Sequence, residues 1–245
     1  NYTLEAAQLV RFRHLLKETD SFIIPAVHPD RSSPKILAMD FMAGDPIETL
    51  EGASQWVKDQ VMTDLIRLAL RELFEFGVMQ TDPNFANYLY QPQTDKIVLL
   101  DFGAARTIAP HIVDQYRHLL CAGLEDDVGG LTTAAQNMGL FDPDTRDEHR
   151  MRIVQMLRQV FHMIREGGAI DFADQTLANQ LQAEGLALFQ DGFSPSVLPI
   201  DVLLIQRKFA GLFLLGARLG ACVNVGEIFR RHGGHLSAGQ TASFQ

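Results

Sequence analysis

Residues 79–106 read MQTDPNFANYLYQPQTDKIVLLDFGAAR, and the fold turns on how the polar residues in this stretch are spaced. Asp82 and Asn87 lie five apart in a short loop after a long amphipathic run. Residues 88–90 and 96–100 have the composition of two short strands, joined by the turn Gln91-Pro92-Gln93-Thr94-Asp95. Asp101-Phe102-Gly103 follows the second strand at once. Turn-forming and capping roles account for Asp95 and Asn84. They do not account for Asp101, a carboxylate placed where the apolar run Ile97-Val98-Leu99-Leu100 ends.

Asp82, Asn87 and Asp101 are the residue types that a magnesium–nucleotide site needs. Mg²⁺ is a hard cation that takes one or two carboxylates and fills its shell with phosphate oxygens and water. Asp101 is then the principal carboxylate ligand and Asn87 the amide ligand. Asp82 sits where an attacking hydroxyl or water arrives, as base or orienting group. An Asp-x-x-x-x-Asn loop and an Asp-Phe-Gly element that close on one Mg-nucleotide are the pairing found in protein-kinase-like folds. The expected fold is α+β and protein-kinase-like: a partial small lobe, then a mainly helical large lobe built on a catalytic β-hairpin. ATP and Mg²⁺ are the expected cofactors.

Composition narrows the alternatives. The chain has 245 residues, 47% hydrophobic and 21% charged, enough for a sizeable core. A formal net charge of −9 with no Lys/Arg cluster argues against a nucleic-acid partner. Cys121 and Cys222 are the only cysteines, too few for a disulfide framework, so a reducing compartment is expected. The apolar stretch 209–217 is too short to span a bilayer and is flanked by Arg207, Lys208 and Arg218.

Taken in order, residues 4–16 place Leu4, Leu9, Phe12, Leu15 and Leu16 at helical spacing. Residues 21–27 and 35–42 read as strands, the second buried, and Ala43-Gly44-Asp45-Pro46 breaks the second. That strand-break-helix order suits a connector between lobes, where Met39, Phe41, Met42 and Ala43 would meet the adenine ring. Residues 54–76 form a long helix whose apolar face runs from Trp56 to Phe76 and which Gly77 ends. From Pro110 on, helices are expected over 111–124, 131–138, 145–165, 172–189 and 197–219, with a last turn at 227–231. They are expected to pack as one unit with residues 54–76. Glu125-Asp126-Asp127 reads as a solvated acidic loop, His232-Gly233-Gly234-His235 as a mobile end, and 237–245 as a flexible tail. The domain reading is 1–46 for the small-lobe remnant and hinge, 47–236 for the large lobe, and 237–245 for the tail.

The stretch resembles the UbiB family of atypical kinase-like proteins, in the branch that supports coenzyme Q biosynthesis. The resemblance lies in Glu72-Leu73-Phe74-Glu75-Phe76 leading to Met79-Gln80-Thr81-Asp82-Pro83-Asn84, then Asn87, then Leu99-Leu100-Asp101-Phe102-Gly103-Ala104. Tyr2 with Glu5-Ala6-Ala7 looks like the family's small-lobe helix start, and Gln206-Arg207-Lys208-Phe209-Ala210-Gly211 like its closing helix. The resemblance implies a catalytic-loop role for Asp82 and metal-ligand roles for Asn87 and Asp101. It also implies a small-lobe role for Glu5, pairing with a nucleotide-binding Lys. The family's strand Lys, Ala-rich loop and Lys-x-Gly-Gln segment would lie upstream of Asn1, so 1–245 reads as a fragment expected to be inactive alone. Implied partners are ATP, a lipid or coenzyme Q precursor at a membrane surface, and other coenzyme Q biosynthesis proteins. Implied compartments are the bacterial cytoplasm or the mitochondrial matrix, peripheral to the inner membrane.

Two absences bear on the substrate. Where a protein kinase carries a cation two residues after the catalytic Asp, this chain has Asn84. Between Gly103 and Pro110 there is no room for a peptide-binding activation segment. Both argue for ATP hydrolysis tied to lipid biosynthesis, or for a small-molecule substrate. Two alternatives stay open: a small-molecule kinase of the aminoglycoside-phosphotransferase type, and a nucleotide-sensing pseudokinase scaffold.

Overall fold

The computed structural model describes residues 1–236, with side chains as far as Arg231. The chain divides into two compact units, and the first comprises residues 1–107 with 207–221. It opens with helix α1 (Tyr2–Leu15), capped by Asn1, whose side chain accepts the Thr3 N–H at 3.1 Å. Leu9, Phe12 and Leu16, at i, i+3 and i+7, form its buried face, while Leu4 stays exposed. Strand β1 (Phe22–Ile23) and strand β2 (Asp45–Pro46) precede helix α2 (Gln55–Arg71), whose N-cap Ser54 accepts from Val57 N–H. A π-turn over Glu72–Phe76 prolongs α2, and Gly77 closes it at φ +59°. The left-handed backbone there is what a glycine allows at little cost.

Strands β3 (Val78–Gln80), β4 (Tyr88–Gln91), β5 (Lys96–Leu99) and β6 (Ala105–Thr107) complete this part of the unit. β4 and β5 are the expected hairpin, antiparallel, with Tyr88 opposite Leu99 and Gln91 opposite Lys96. The turn is closed by Asp95 at φ +53°, whose carboxylate accepts from the Tyr90 hydroxyl at 2.6 Å. β1 adds parallel to β5 and β2 antiparallel to β4, giving the order β1-β5-β4-β2. β3 and β6 pair antiparallel as a separate ribbon.

Three expectations need correction here. Residues 35–42 are not a buried strand: they make only isolated bridges, Ser33 to Ile36 and Val27 to Met39. Side chains take the backbone groups a ladder would use. Ser32 Oγ accepts the Ala38 N–H at 3.0 Å, and Asp40 Oδ2 accepts the Ala26 N–H at 3.1 Å. For the same reason only Phe22 and Ile23 of residues 21–27 are strand. Trp56, read as part of the α2 apolar face, is 59% exposed because it sits in the first turn, ahead of the buried stretch that begins at Val61.

The second unit comprises residues 108–206 and the chain from 222 on, and is helical. Its elements are α3 (Pro110–Glu125), α4 (Val128–Asn137), α5 (Asp147–Arg165), α6 (Thr176–Gln190), the first part of α7 (Ile200–Leu219) and α8 (Val225–Leu236). Strand β7 (Ile170–Asp171) pairs antiparallel with strand β8 (Cys222–Val223), a two-residue ladder that helical periodicity does not reveal. The α3–α5 packing is close at Gly123, where a Cβ would lie 2.3 Å from the Phe161 ring. Asp126 is not a solvated loop acid. It ends α3 at φ +57°, and Arg158 grips both its oxygens at 3.0 and 2.9 Å while Arg165 adds 3.2 Å. α2 does not join this unit as expected. It feeds through Gly77 into β3, and its first residue Gln55 donates to Gly220 C=O at 2.8 Å, both within the first unit. The side chains of His232 and His235 and the whole of residues 237–245 lie outside the described residues.

Candidate functional site

The ribbon of β3 and β6 aligns the two acidic positions. With Gln80 opposite Ala105, the chain leaves β3 into Thr81-Asp82 beside the stretch that enters β6 from Asp101. Thr81 extends the ladder, its hydroxyl donating to Ala104 C=O at 2.9 Å. Gln80 is buried and uses both ends of its amide. Nε2 donates to the Asp101 C=O at 3.0 Å, and Oε1 accepts the Asp82 N–H at 2.6 Å. One side chain therefore ties the backbone of Asp82 to that of Asp101. A buried amide with both ends used fixes its partners, because breaking either bond leaves a buried polar group without water.

Asn87 closes the arrangement. The turn over Phe85–Asn87, capped by Asn84 accepting Ala86 N–H at 3.2 Å, delivers Asn87 to the start of β4. Its Nδ2 donates to Asp101 Oδ2 at 3.1 Å, while Asp101 Oδ1 accepts the Gly103 N–H at 2.7 Å. Phe102 points the other way, 1% exposed, and stacks on Phe12 of α1 with ring centroids 4.2 Å apart. Glu5, seven residues before Phe12 and so on the same side of α1, stands over Gly103. A Cβ at 103 would lie 3.3 Å from Glu5 Oε2 and 3.2 Å from Asp101 Oδ1. Burial, and next the charge of Asp101, raise the Glu5 carboxyl above its ordinary range. The structure thus joins Asn87 to Asp101 and ties the Asp82 backbone to Asp101 through Gln80, and it adds Glu5, a position that the family resemblance alone singled out.

The donors suit magnesium. Asn87 keeps its Oδ1, Asp101 offers a carboxylate already oriented by two N–H donors, and the cation's remaining ligands would be phosphate oxygens and water. Among the described residues there is no group of three His, Cys, Asp or Glu side chains that could cage a metal ion by themselves. Of the connector residues, Ala43 lies alongside β4, the strand that follows Asn87. Ala43 C=O accepts from Gln91 Nε2 at 2.7 Å, Met39 bridges to Val27, and Phe41 is 93% exposed. No hydrogen bond among the described residues links Met39, Phe41, Met42 or Ala43 to the Asp82–Asn87–Asp101 cluster.

Other residues of the site escaped the sequence reading. Gln80 was legible only as part of a motif. Arg207 Nη2 stands 3.5 Å from Asp82 Oδ1. Its neighbour Lys208 is 2% exposed; its ammonium donates to Tyr88 Oη at 2.9 Å and lies 4.0 Å from Glu72 Oε2. Burial pushes Glu72 up to about 7, with Lys208 and the Gln80 N–H pulling it back. A Glu inside Leu70-Arg71-Glu72-Leu73 and a Lys heading an apolar helix face were the available signals. Charge beside apolar residues reads as a solvated edge until tertiary packing buries it.

Comparison with known proteins agrees. The ABC1 atypical kinase-like domain matches residues 1–135. Over 94% of its length the chain is 36% identical to "Atypical kinase COQ8, mitochondrial" of Saccharomyces cerevisiae, covering 46% of that protein. It is 32% identical to "Atypical kinase COQ8B, mitochondrial" of Rattus norvegicus, again over 94% of the chain and covering 43% of that protein. The chain thus spans less than half the length of these relatives. Among solved structures, the Rv3197–erythromycin complex from Mycobacterium tuberculosis shares the fold, with a TM-score of 0.74 at 20% identity, covering 94% of this chain and 57% of that one. The kinase-like fold and the UbiB resemblance carried by residues 79–106 are borne out. With its family domain spanning more than half its length, the chain belongs to the ABC1 atypical kinase-like family.

Proposed function

We propose that this chain is the metal- and nucleotide-binding part of an atypical kinase-like ATPase that supports coenzyme Q biosynthesis. A lipid or coenzyme Q precursor, not a protein, is the object of its work. The observation that carries this reading is the Asn87 amide resting on the Asp101 carboxylate while Gln80 ties Asp101 to Asp82. Asp101 and Asn87 would hold Mg²⁺, which when bound neutralises phosphate charge. Asp82, about one-third exposed and faced by Arg207, is placed to orient an attacking hydroxyl or water or to take its proton. Glu5 is the acceptor for a lysine ammonium, and Met39, Phe41, Met42 and Ala43 are the adenine contacts.

The short stretch after Gly103 supports a non-protein substrate. β6 uses Ala105–Thr107 to pair with β3 and α3 begins at Pro110, so no peptide platform forms there. No described helix is long and apolar enough to cross a membrane. The mitochondrial designation of the eukaryotic relatives fits work at the face of an inner membrane, in a mitochondrion or a bacterium, alongside other coenzyme Q biosynthesis proteins. The test is Asp101→Asn in the full-length protein, which should abolish Mg-dependent nucleotide binding measured by calorimetry. Unchanged Mg-dependent affinity would sink the metal assignment. Binding of Mg-ATP by the wild type with no phosphate release would make the protein a nucleotide-sensing scaffold instead.

A further inference from the structure

Lys208, Tyr88 and Glu72 form a buried polar group that the proposed chemistry does not use. All three are under 5% exposed. The Lys208 ammonium has the Tyr88 hydroxyl at 2.9 Å, the Tyr88 ring centroid at 5.5 Å and the Glu72 carboxylate at 4.0 Å. Glu72 Oε2 makes no hydrogen bond. As a stabilising device this is poor. A buried ion pair offsets its desolvation only with close, fully hydrogen-bonded geometry, and an apolar side chain of similar volume commonly does as well or better.

The placement is more informative. Tyr88 directly follows Asn87, so pinning its hydroxyl restrains the peptide that aims the Asn87 amide at Asp101. Lys208 itself sits on α7, next to Arg207. The helix is seated there as well. Arg207 faces Asp82, and at Gly211 a Cβ would lie 2.5 Å from Pro83 Cβ.

We infer that Lys208 is a positioning residue of the nucleotide site: through Tyr88 it holds Asn87 in place to share a divalent cation with Asp101. The inference rests on the kinase-like reading above. Its test uses the full-length protein with a fluorescent ATP analogue, titrated with Mg²⁺ and also measured in EDTA. Three variants are compared: Lys208→Met, the double variant Glu72→Gln/Lys208→Met, which leaves no orphaned carboxylate, and Tyr88→Phe, which removes one hydroxyl. Each should raise the Mg²⁺ concentration for half-maximal tightening at least about tenfold while nucleotide affinity in EDTA stays within about twofold. In protein free of Mg²⁺ and nucleotide, hydrogen exchange at the amides of residues 84–90 should speed up. An unchanged Mg²⁺ requirement in the double variant, or in Tyr88→Phe if the Lys208 variants do not fold, overturns the inference. If wild-type binding does not depend on Mg²⁺, the metal reading fails and the inference goes with it; if only the variants match wild type, the inference alone fails.

Discussion

Gln80 and Glu72 are the residues whose environment departs most from what their type suggests. Gln80→Leu fills similar volume but leaves the Asp82 N–H and the Asp101 C=O without partners. Each orphaned buried group costs about 1–3 kcal/mol, so the variant should lose about 2–6 kcal/mol in urea unfolding of the full-length protein. Mg-ATP turnover should fall by at least tenfold. Glu72 makes stability depend on pH. Its carboxyl is raised from 4.5 to about 7 in the fold, so between these values the folded state binds the proton the unfolded state has released. The stabilisation is fully present below pH 4.5 and is lost as pH rises through 7. On the scale of about 1.4 kcal/mol per pK unit the difference is on the order of 3 kcal/mol. Urea midpoints should therefore fall from pH 5 to pH 8 more in wild type than in Glu72→Gln, and equal slopes would contradict the assignment.

At the level of elements, the site depends on how closely α7 approaches the loop after β3. Gly211 allows that approach, since any Cβ there meets Pro83 at 2.5 Å. In an isolated helix Gly→Ala gains up to about 1 kcal/mol. Here overpacking, at about 1–3 kcal/mol, should outweigh that gain. Gly211→Ala should lower the melting temperature and also slow Mg-ATP turnover, because the shift is taken up where Asp82 sits. A variant that is more stable and fully active would show that the contact relaxes without moving the loop. The β3–β6 ribbon makes the same point. Three residues on each side suffice because they need only bring Asp82 and Asp101 side by side.

Each of the two units has its own buried residues, so damage to one core should be read first within that unit. Gly123→Ala drives a Cβ to 2.3 Å from the Phe161 ring at the α3–α5 packing. No rotamer of a buried Phe avoids that at low cost, so the change should destabilise the helical unit by about 1–3 kcal/mol. Hydrogen exchange should quicken across α3 and α5 while β4 and β5 amides keep their protection. Loss of protection everywhere at once would show that the chain unfolds as a single cooperative body.

Reading along the chain was enough for the hairpin, the Asp-x-x-x-x-Asn and Asp-Phe-Gly pair, most helix spans and the Gly77 stop. These rest on local patterns: alternation, helical spacing, turn chemistry and short loops. The grouping of Asp82, Asn87 and Asp101 was also legible, because a two-stranded frame constrains them, whereas Glu5 was singled out only by the family resemblance. The strand expected at 35–42 failed because Ser32 and Asp40 side chains captured its backbone, a competition that apolar content does not reveal. Gln80 as a clamp and Lys208 as a buried cation were out of reach for another reason. Both depend on partners far along the chain, Asp101 for Gln80 and Tyr88 with Glu72 for Lys208. Whether a polar side chain is solvated or buried is a property of those long-range neighbours, and only the packed fold supplies them.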